Sequence, residues 1–312
     1  MNEAASLLFA NAVDVRHVRL DSLTGSASTT MQVVKTRETL ALDFVHRNRT
    51  VCWIVHNNTQ NFMECGNVDK IQNDHWIMPE PDMYSLKSVH QIAVDWASLN
   101  WYFLDDTLEI VLLCALKNQE KFLCKMILSA RLNKPRGIAL DPEAGFMFFT
   151  VWGSDTAKLE RANLDGTQRT ILVDTKIVYP YGVTLDLPLK RVYWVDTYLD
   201  YIEAVDYDGL NRKTLLRGSP VQNLYSASVF QNSLYLTSWR NNSILRVNKF
   251  RPLEDHSTIL DGLERPFAIH VFHRQRQPLI NNSHPCMDSP CEHVSPKMKN
   301  LVKLPGSQSM DS

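Results

Sequence analysis

The sequence predicts an all-β chain built as a ring of six four-stranded blades, a β-propeller, on three observations. Strand-like runs with an aromatic-rich second strand recur roughly every 45 residues. Asp-Gly turn signals fall at hairpin positions, at Asp165-Gly166, Asp208-Gly209 and Asp261-Gly262. The two chain ends each supply part of one further repeat, so the series closes on itself. Helical spacing of apolar residues is hard to find outside "HQIAVDWASLN" from His90 to Asn100.

Two copies of the repeat match almost position for position: "PRGIALDPEAGFMFFTVWGSDTAKLERANLDGTQRTILV" from Pro135 to Val173, and "PYGVTLDLPLKRVYWVDTYLDYIEAVDYDGLNRKTLL" from Pro180 to Leu216. Looser copies begin at Leu40, His90 and Tyr225, and a sixth opening strand, "PFAIHVFH", begins at Pro266. Asp43, Asp95, Asp141 and Asp186 are 52, 46 and 45 residues apart, and the matching positions continue at Phe230 and Phe272. The sixth opening strand lacks three companions, and the N-terminus supplies them. "LLFAN" at Leu7 to Asn11, "DVRHVRLD" at Asp14 to Asp21 and "MQVV" at Met31 to Val34 read as a second, third and fourth strand. Pairing between the chain ends removes sheet edges that would otherwise invite aggregation. The propeller is therefore expected over 5–275, with 276–312 as a separate tail.

Composition sets the class. The chain has 312 residues, 44% hydrophobic and 21% charged, enough for one large all-β domain. A formal net charge of -1 without a Lys/Arg run excludes the basic footprint of a nucleic-acid binder. No apolar stretch reaches the roughly 18 to 20 residues of a bilayer span. "AASLLFANAV" at Ala4 to Val13 lacks the positive flank of a signal peptide. The six cysteines form three close pairs, Cys52/Cys65, Cys114/Cys124 and Cys286/Cys291, which suit disulfides that pin hairpins rather than C-x-x-C metal sites. Asn48, Asn57, Asn241 and Asn281 head N-x-S/T sequons and are the glycosylation candidates. Both signals point to an oxidising, extracellular context.

The run Gly-Ile-Ala-Leu-Asp or Gly-Val-Thr-Leu-Asp, then Val-Tyr-Trp-Val-Asp, then Ile-Glu and Asp-Gly, resembles the YWTD (class B repeat) propeller of the LDL-receptor family. "TKIVYPYG" at Thr175 to Gly182, "YLDYIEAVDYDG" and the cysteine pairs of the first two repeats are similar in particular to the first propeller of its large endocytic receptor-related members. "HPCMDSPCEH" resembles the start of an EGF-like module. Only Cys286 and Cys291 of its six cysteines are present, so a truncated EGF-like start and a disordered tail are expected there.

Within a blade, the aromatic pair Tyr193-Trp194 should send one ring towards each neighbouring blade. Asp105 and Asp196 should accept backbone N–H groups at the strand end, while Asp141 and Asp186 mark the inner strands. These residues read as structural. Cys52–Cys65 and Cys114–Cys124 should staple single blades. By the resemblance, partner contacts fall on the loop-bearing face, at Trp152 and Tyr179, with Tyr181, Tyr198, Tyr225 and Trp239 near them. Relatives that release cargo at endosomal pH carry histidines where this chain has Asp200 and Asn223, which leaves His90, His270 and His273 to contribute otherwise.

The resemblance implies a non-enzymatic extracellular module of an endocytic receptor, supporting protein or lipoprotein binding, uptake and cargo release beside flanking ligand-binding repeats. The location it implies is the plasma-membrane surface and endosomes, within a single-pass receptor. No cofactor, metal or catalytic residue is expected. The alternatives are a matrix-binding propeller of nidogen type and a calcium-dependent lactonase. The lactonase needs a ring of acidic ligands on the axis, which the inner strands, from Leu-Ala-Leu to Ala-Ile-His, do not spell.

Overall fold

The computed structural model describes residues 3–20, 27–56, 61–81, 84–117, 121–130, 132–152 and 156–280. These form six four-stranded antiparallel sheets. Blade one runs from the inner strand Leu42–Val45 to His75–Ile77, blade two from Val89–Asp95 to Lys121–Leu128, and blade three from Pro135–Asp141 to Thr170–Val173. Blade four runs from Pro180–Asp186 to Lys213–Arg217 and blade five from Leu224–Phe230 to His256–Leu260.

Blade six takes Ile269–Phe272 as its inner strand and Ser6–Ala10, Asp14–Leu20 and Ala27–Lys35 from the N-terminal end. The register pairs Ser6 with Phe272, Leu7 with Val271, Leu8 with His270 and Phe9 with Ile269. The ring thus closes by main-chain hydrogen bonds between residues far apart in sequence.

The core lies between the blades, because second strands are buried on both faces. Tyr193 packs with Leu224, Ala227 and Leu236 of blade five, whereas Trp194 packs with Phe148, Leu159 and Val173 of blade three. Burying such rings stabilises by about 2–3 kcal/mol each. Gly137 and Gly182 sit where adjacent inner strands nearly touch. A Cβ on Gly182 would lie 2.7 Å from Ser226 Cα, and one on Gly137 would lie 2.3 Å from the Tyr181 carbonyl oxygen. Only glycine fits this seam, which accounts for the Gly of Gly-Ile-Ala-Leu-Asp.

Packing runs past the expected boundary at 275. Arg276 donates to the Leu185 carbonyl oxygen at 2.6 Å, Gln277 accepts from His46 N at 2.8 Å, and Trp96 Nε1 donates to the Pro278 carbonyl oxygen at 3.1 Å. A short strap therefore crosses one mouth of the axial channel and ties blades one, two and four together. It closes over Asp43 and His270. Burial pushes the Asp43 carboxyl up to about 7, against the pull of the Val94 and Phe44 N–H groups, and it pulls His270 down to about 3.

Two disulfides staple single blades: Cys52–Cys65 joins the second and third strands of blade one, and Cys114–Cys124 joins the third and fourth strands of blade two. Cys286, Cys291, Asn57, Asn281 and the expected EGF-like start lie outside the described residues. Among the described residues no helix is long and apolar enough to cross a membrane.

Candidate functional site

On the face opposite the strap, the turns after the second strands meet the links between blades. Asp196 organises this region. Its Oδ2 accepts Val178 N and Tyr179 N at 2.7 and 3.0 Å, and its Oδ1 accepts Tyr198 N and Leu199 N at 3.0 and 2.8 Å. One buried carboxylate thus fixes two loops, each carrying an aromatic residue. Asp105 makes the local half of the pattern, accepting Thr107 N and Leu108 N, and burial raises its carboxyl. Asn11, at the matching position of blade six, accepts Val13 N and Asp14 N in the same way. The sequence reading had not singled out Asn11, although an amide supplies the same acceptor oxygen.

On the strap side, Asp141 accepts Lys190 Nζ at 2.8 Å and Tyr207 OH at 3.0 Å, both from blade four. Asp186 pairs with Lys249 of blade five. These two aspartates hold blade to blade.

The structure brings Trp152, Tyr179, Tyr181, Tyr198, Tyr225 and Trp239 into one continuous strip over blades three to five. Ring centroids are 5.1 Å apart for Trp152–Tyr179, 6.1 Å for Trp152–Tyr181 and 5.5 Å for Tyr179–Tyr198. Tyr181 lies 5.5 Å from Tyr225, which stacks at 4.6 Å on Trp239. Tyr198 is 65% exposed, while Tyr225 is 8% exposed and supports Trp239 from below. Burial pushes the Tyr225 hydroxyl up to about 12. Trp239 is anchored by its Nε1, which donates to the Pro266 carbonyl oxygen at 2.9 Å.

The repeat frame explains the strip. Counting five residues back from the inner-strand positions Asp43, Asp95, Asp141, Asp186, Phe230 and Phe272 gives Glu38, His90, Arg136, Tyr181, Tyr225 and Phe267. Neighbours in this series touch: Arg136 lies 4.7 Å from the Tyr181 ring, and Tyr225 lies 5.4 Å from Phe267. The channel mouth is therefore half polar, at blades one to three, and half aromatic, at blades four to six. Asp106 joins the polar side, with Oδ2 accepting Arg136 Nη1 at 2.9 Å and Oδ1 lying 3.0 Å from His90 Nδ1. Although burial raises it, His90 and Arg136 hold the Asp106 carboxyl below its usual range. His56, whose ring is 6.1 Å from His90, is pulled down to about 4 by burial and by that neighbour. Lys134, Arg136, Arg265 and Phe267 were missed from the sequence, because their contacts with the rings form only when the blades are wound into a ring.

The candidate glycan acceptors divide between the faces. Asn241 is exposed in the turn after Trp239, and Asn48 is exposed on the strap side. His270 and His273 also lie on the strap side, and His273 Nε2 is 3.2 Å from the Glu3 carbonyl oxygen.

A closed six-blade ring with aromatic-rich second strands, Tyr-Trp-Val-Asp in blade four, defines a YWTD-type propeller module. The chain is 34% identical over 203 residues to a vitellogenin receptor of Solenopsis invicta, covering 65% of this chain and 11% of that protein. It is 32% identical over 172 residues to a human low-density lipoprotein receptor-related protein 5-like protein, covering 55% of this chain and 66% of that one. Among solved structures, a nidogen/laminin complex gives a TM-score of 0.74 at 21% identity, covering 86% of this chain and 98% of the matched chain, and so supports the fold. No family model matches the chain. The chain belongs to the LDL-receptor family of YWTD propellers. It spans 11% of the length of the vitellogenin receptor it matches.

Proposed function

We propose that the chain is a non-enzymatic, extracellular ligand-contact module of an endocytic receptor, acting beside flanking ligand-binding repeats at the plasma membrane and in endosomes. Its ligands on this reading are proteins or lipoproteins, which the receptor takes up and discharges. The observation that carries the reading is the aromatic strip, in a chain whose relatives are receptors: rings rather than titratable groups dominate one half of the channel mouth. Large, stiff side chains of this kind supply contact area at low entropic cost and are enriched where proteins bind.

The test is surface plasmon resonance of purified vitellogenin over the immobilised, disulfide-intact chain, beside a variant carrying W152A, Y179A and Y198A. Binding by the parent and a loss of about tenfold or more in the variant supports the proposal. Absence of binding, or equal binding by both, overturns it. Laminin is injected in parallel, because the nidogen-type reading predicts that laminin binds and vitellogenin does not.

A further inference from the structure

The aromatic strip is bracketed by cations. Lys134 Nζ lies 4.9 Å from the Trp152 ring, and the Arg136 guanidinium lies 5.9 Å from Trp152 and 4.7 Å from Tyr181. At the other end, Arg265 lies 5.1 Å from Trp239 and 5.7 Å from Phe267. Among the described residues, the carboxylate bonded to this set is Asp106, and it is divided between Arg136 and His90. Glu38, at the matching position of blade one, lies on the opposite side of the mouth. Among the described residues, two further donors at the Lys134 end, Trp152 Nε1 and Arg136 Nε, are buried without acceptors. Among those residues the strip thus carries cations at both ends, although the chain as a whole carries a net charge of -1. A cation lying over a ring is held in place by the ring quadrupole and still turns N–H groups outward. Lys134 and Arg265 are both exposed.

We propose that the strip docks an acidic segment of a protein partner, with Asp or Glu carboxylates at either end of a bulky apolar side chain. One carboxylate meets Lys134 and Arg136, the other meets Arg265, and the apolar side chain rests on Tyr181 and Trp239. Centroid steps of 6.1 and 6.4 Å bound the Trp152 to Trp239 distance at about 12 Å, or about four residues of extended chain. Acidic residues about four apart therefore span the two rings, and their side chains reach the cations beside each ring. An anionic polysaccharide fits less well. Its hydroxyls need side-chain amides and carboxylates to accept and donate, and among the described residues the carboxylates bonded to the strip, Asp106 and Asp196, are already engaged. This inference rests on the reading of the strip as the partner face.

The experiment is fluorescence anisotropy of end-blocked, fluorescein-labelled Glu-Ala-Leu-Ala-Glu with the folded chain, compared with its Gln and Lys counterparts and with heparin as competitor. The Glu peptide is expected to bind at least about tenfold tighter than the Gln peptide, with affinity falling as salt rises, and K134E with R265E should remove that advantage. Both substitutions are at exposed positions, and circular dichroism checks that the variant is folded. Equal binding of Glu and Gln peptides, tighter binding of the Lys peptide, no binding of any peptide, or displacement by heparin at lower charge equivalents than the Glu peptide overturns the proposal. Y181A, which removes a ring on which the apolar side chain rests, separates the two readings. If it weakens every peptide while the charge variant changes none, the strip remains the partner face and the acidic specificity is lost. If neither variant changes anything, both readings fail.

Discussion

At the scale of single residues, the same carboxylate solves different problems at different places. Asp196 holds four backbone N–H groups, so an Asp196→Asn substitution replaces one acceptor oxygen by an amide that faces donors. The expected cost is on the order of 3 kcal/mol by urea denaturation, since an unmatched buried donor costs about 1–3 kcal/mol. The same change at Asp105, which serves only its own turn, should cost less. In the channel the sign of a pH effect can be worked out. His270 has its folded pKa depressed to about 3, so between that value and about 6.5 it binds a proton only when the chain unfolds. Its contribution to stability is therefore present above about 6.5 and is lost as pH falls through this window. Asp43 has the opposite sign: its folded pKa is raised to about 7, so protonation between about 7 and 4 favours the folded state. A His270→Gln variant should retain a larger share of its pH 7.5 stability at pH 5 than the parent does, measured by urea midpoints. A steeper loss on acidification would contradict this assignment.

At the scale of elements, the seam between inner strands limits what a blade tolerates. Gly182→Ala places a Cβ 2.7 Å from Ser226 Cα and 2.9 Å from Ala227 N, all backbone, so the blade-five inner strand has to shift. A loss of about 1–3 kcal/mol is expected by urea denaturation. Cys114→Ala with Cys124→Ala releases a loop of sequence separation 10 and should cost about 3 kcal/mol by loop entropy, measured by the same denaturation. Blades three and four were the easiest to read, because Asp-Gly turns and the alternation of Tyr193 and Trp194 are local signals. The terminal join was readable too, since "LLFAN" and "PFAIHVFH" are each incomplete without the other. The strap was not, because Arg276 and Gln277 bond to backbone carbonyls and amides of distant strands, and such contacts leave no periodicity in the sequence. The cationic half of the face was missed for a related reason: Lys134 and Arg265 become neighbours of aromatic rings only when the blades are wound into a ring.

At the scale of the whole molecule, stability is a property of closure. Each inner strand packs against its neighbours, and Thr184 Oγ1 accepts Val229 N across the seam between blades four and five, while Ser228 Oγ accepts Val271 N across the next. A ring connected in this way has no open end between blades at which unfolding can begin cheaply, provided that Ile269–Phe272 stays paired with Ser6–Ala10. Cutting the chain before Ile269 leaves five complete blades, yet it opens Ser6–Ala10 as an edge strand and exposes Leu7, Leu8 and Phe9, all fully buried in the ring. That truncation should aggregate or be cleaved quickly by protease. Cutting after Phe272 keeps blade six and removes the strap, uncovering the channel above Asp43 and His270. It should elute as the parent chain does, with a lower melting temperature. Size-exclusion chromatography, limited proteolysis and thermal melts of the two truncations give the order directly. A monomeric, protease-resistant chain lacking Ile269–Phe272 would mean that the blades are stable one by one and that closure is not what holds the molecule together.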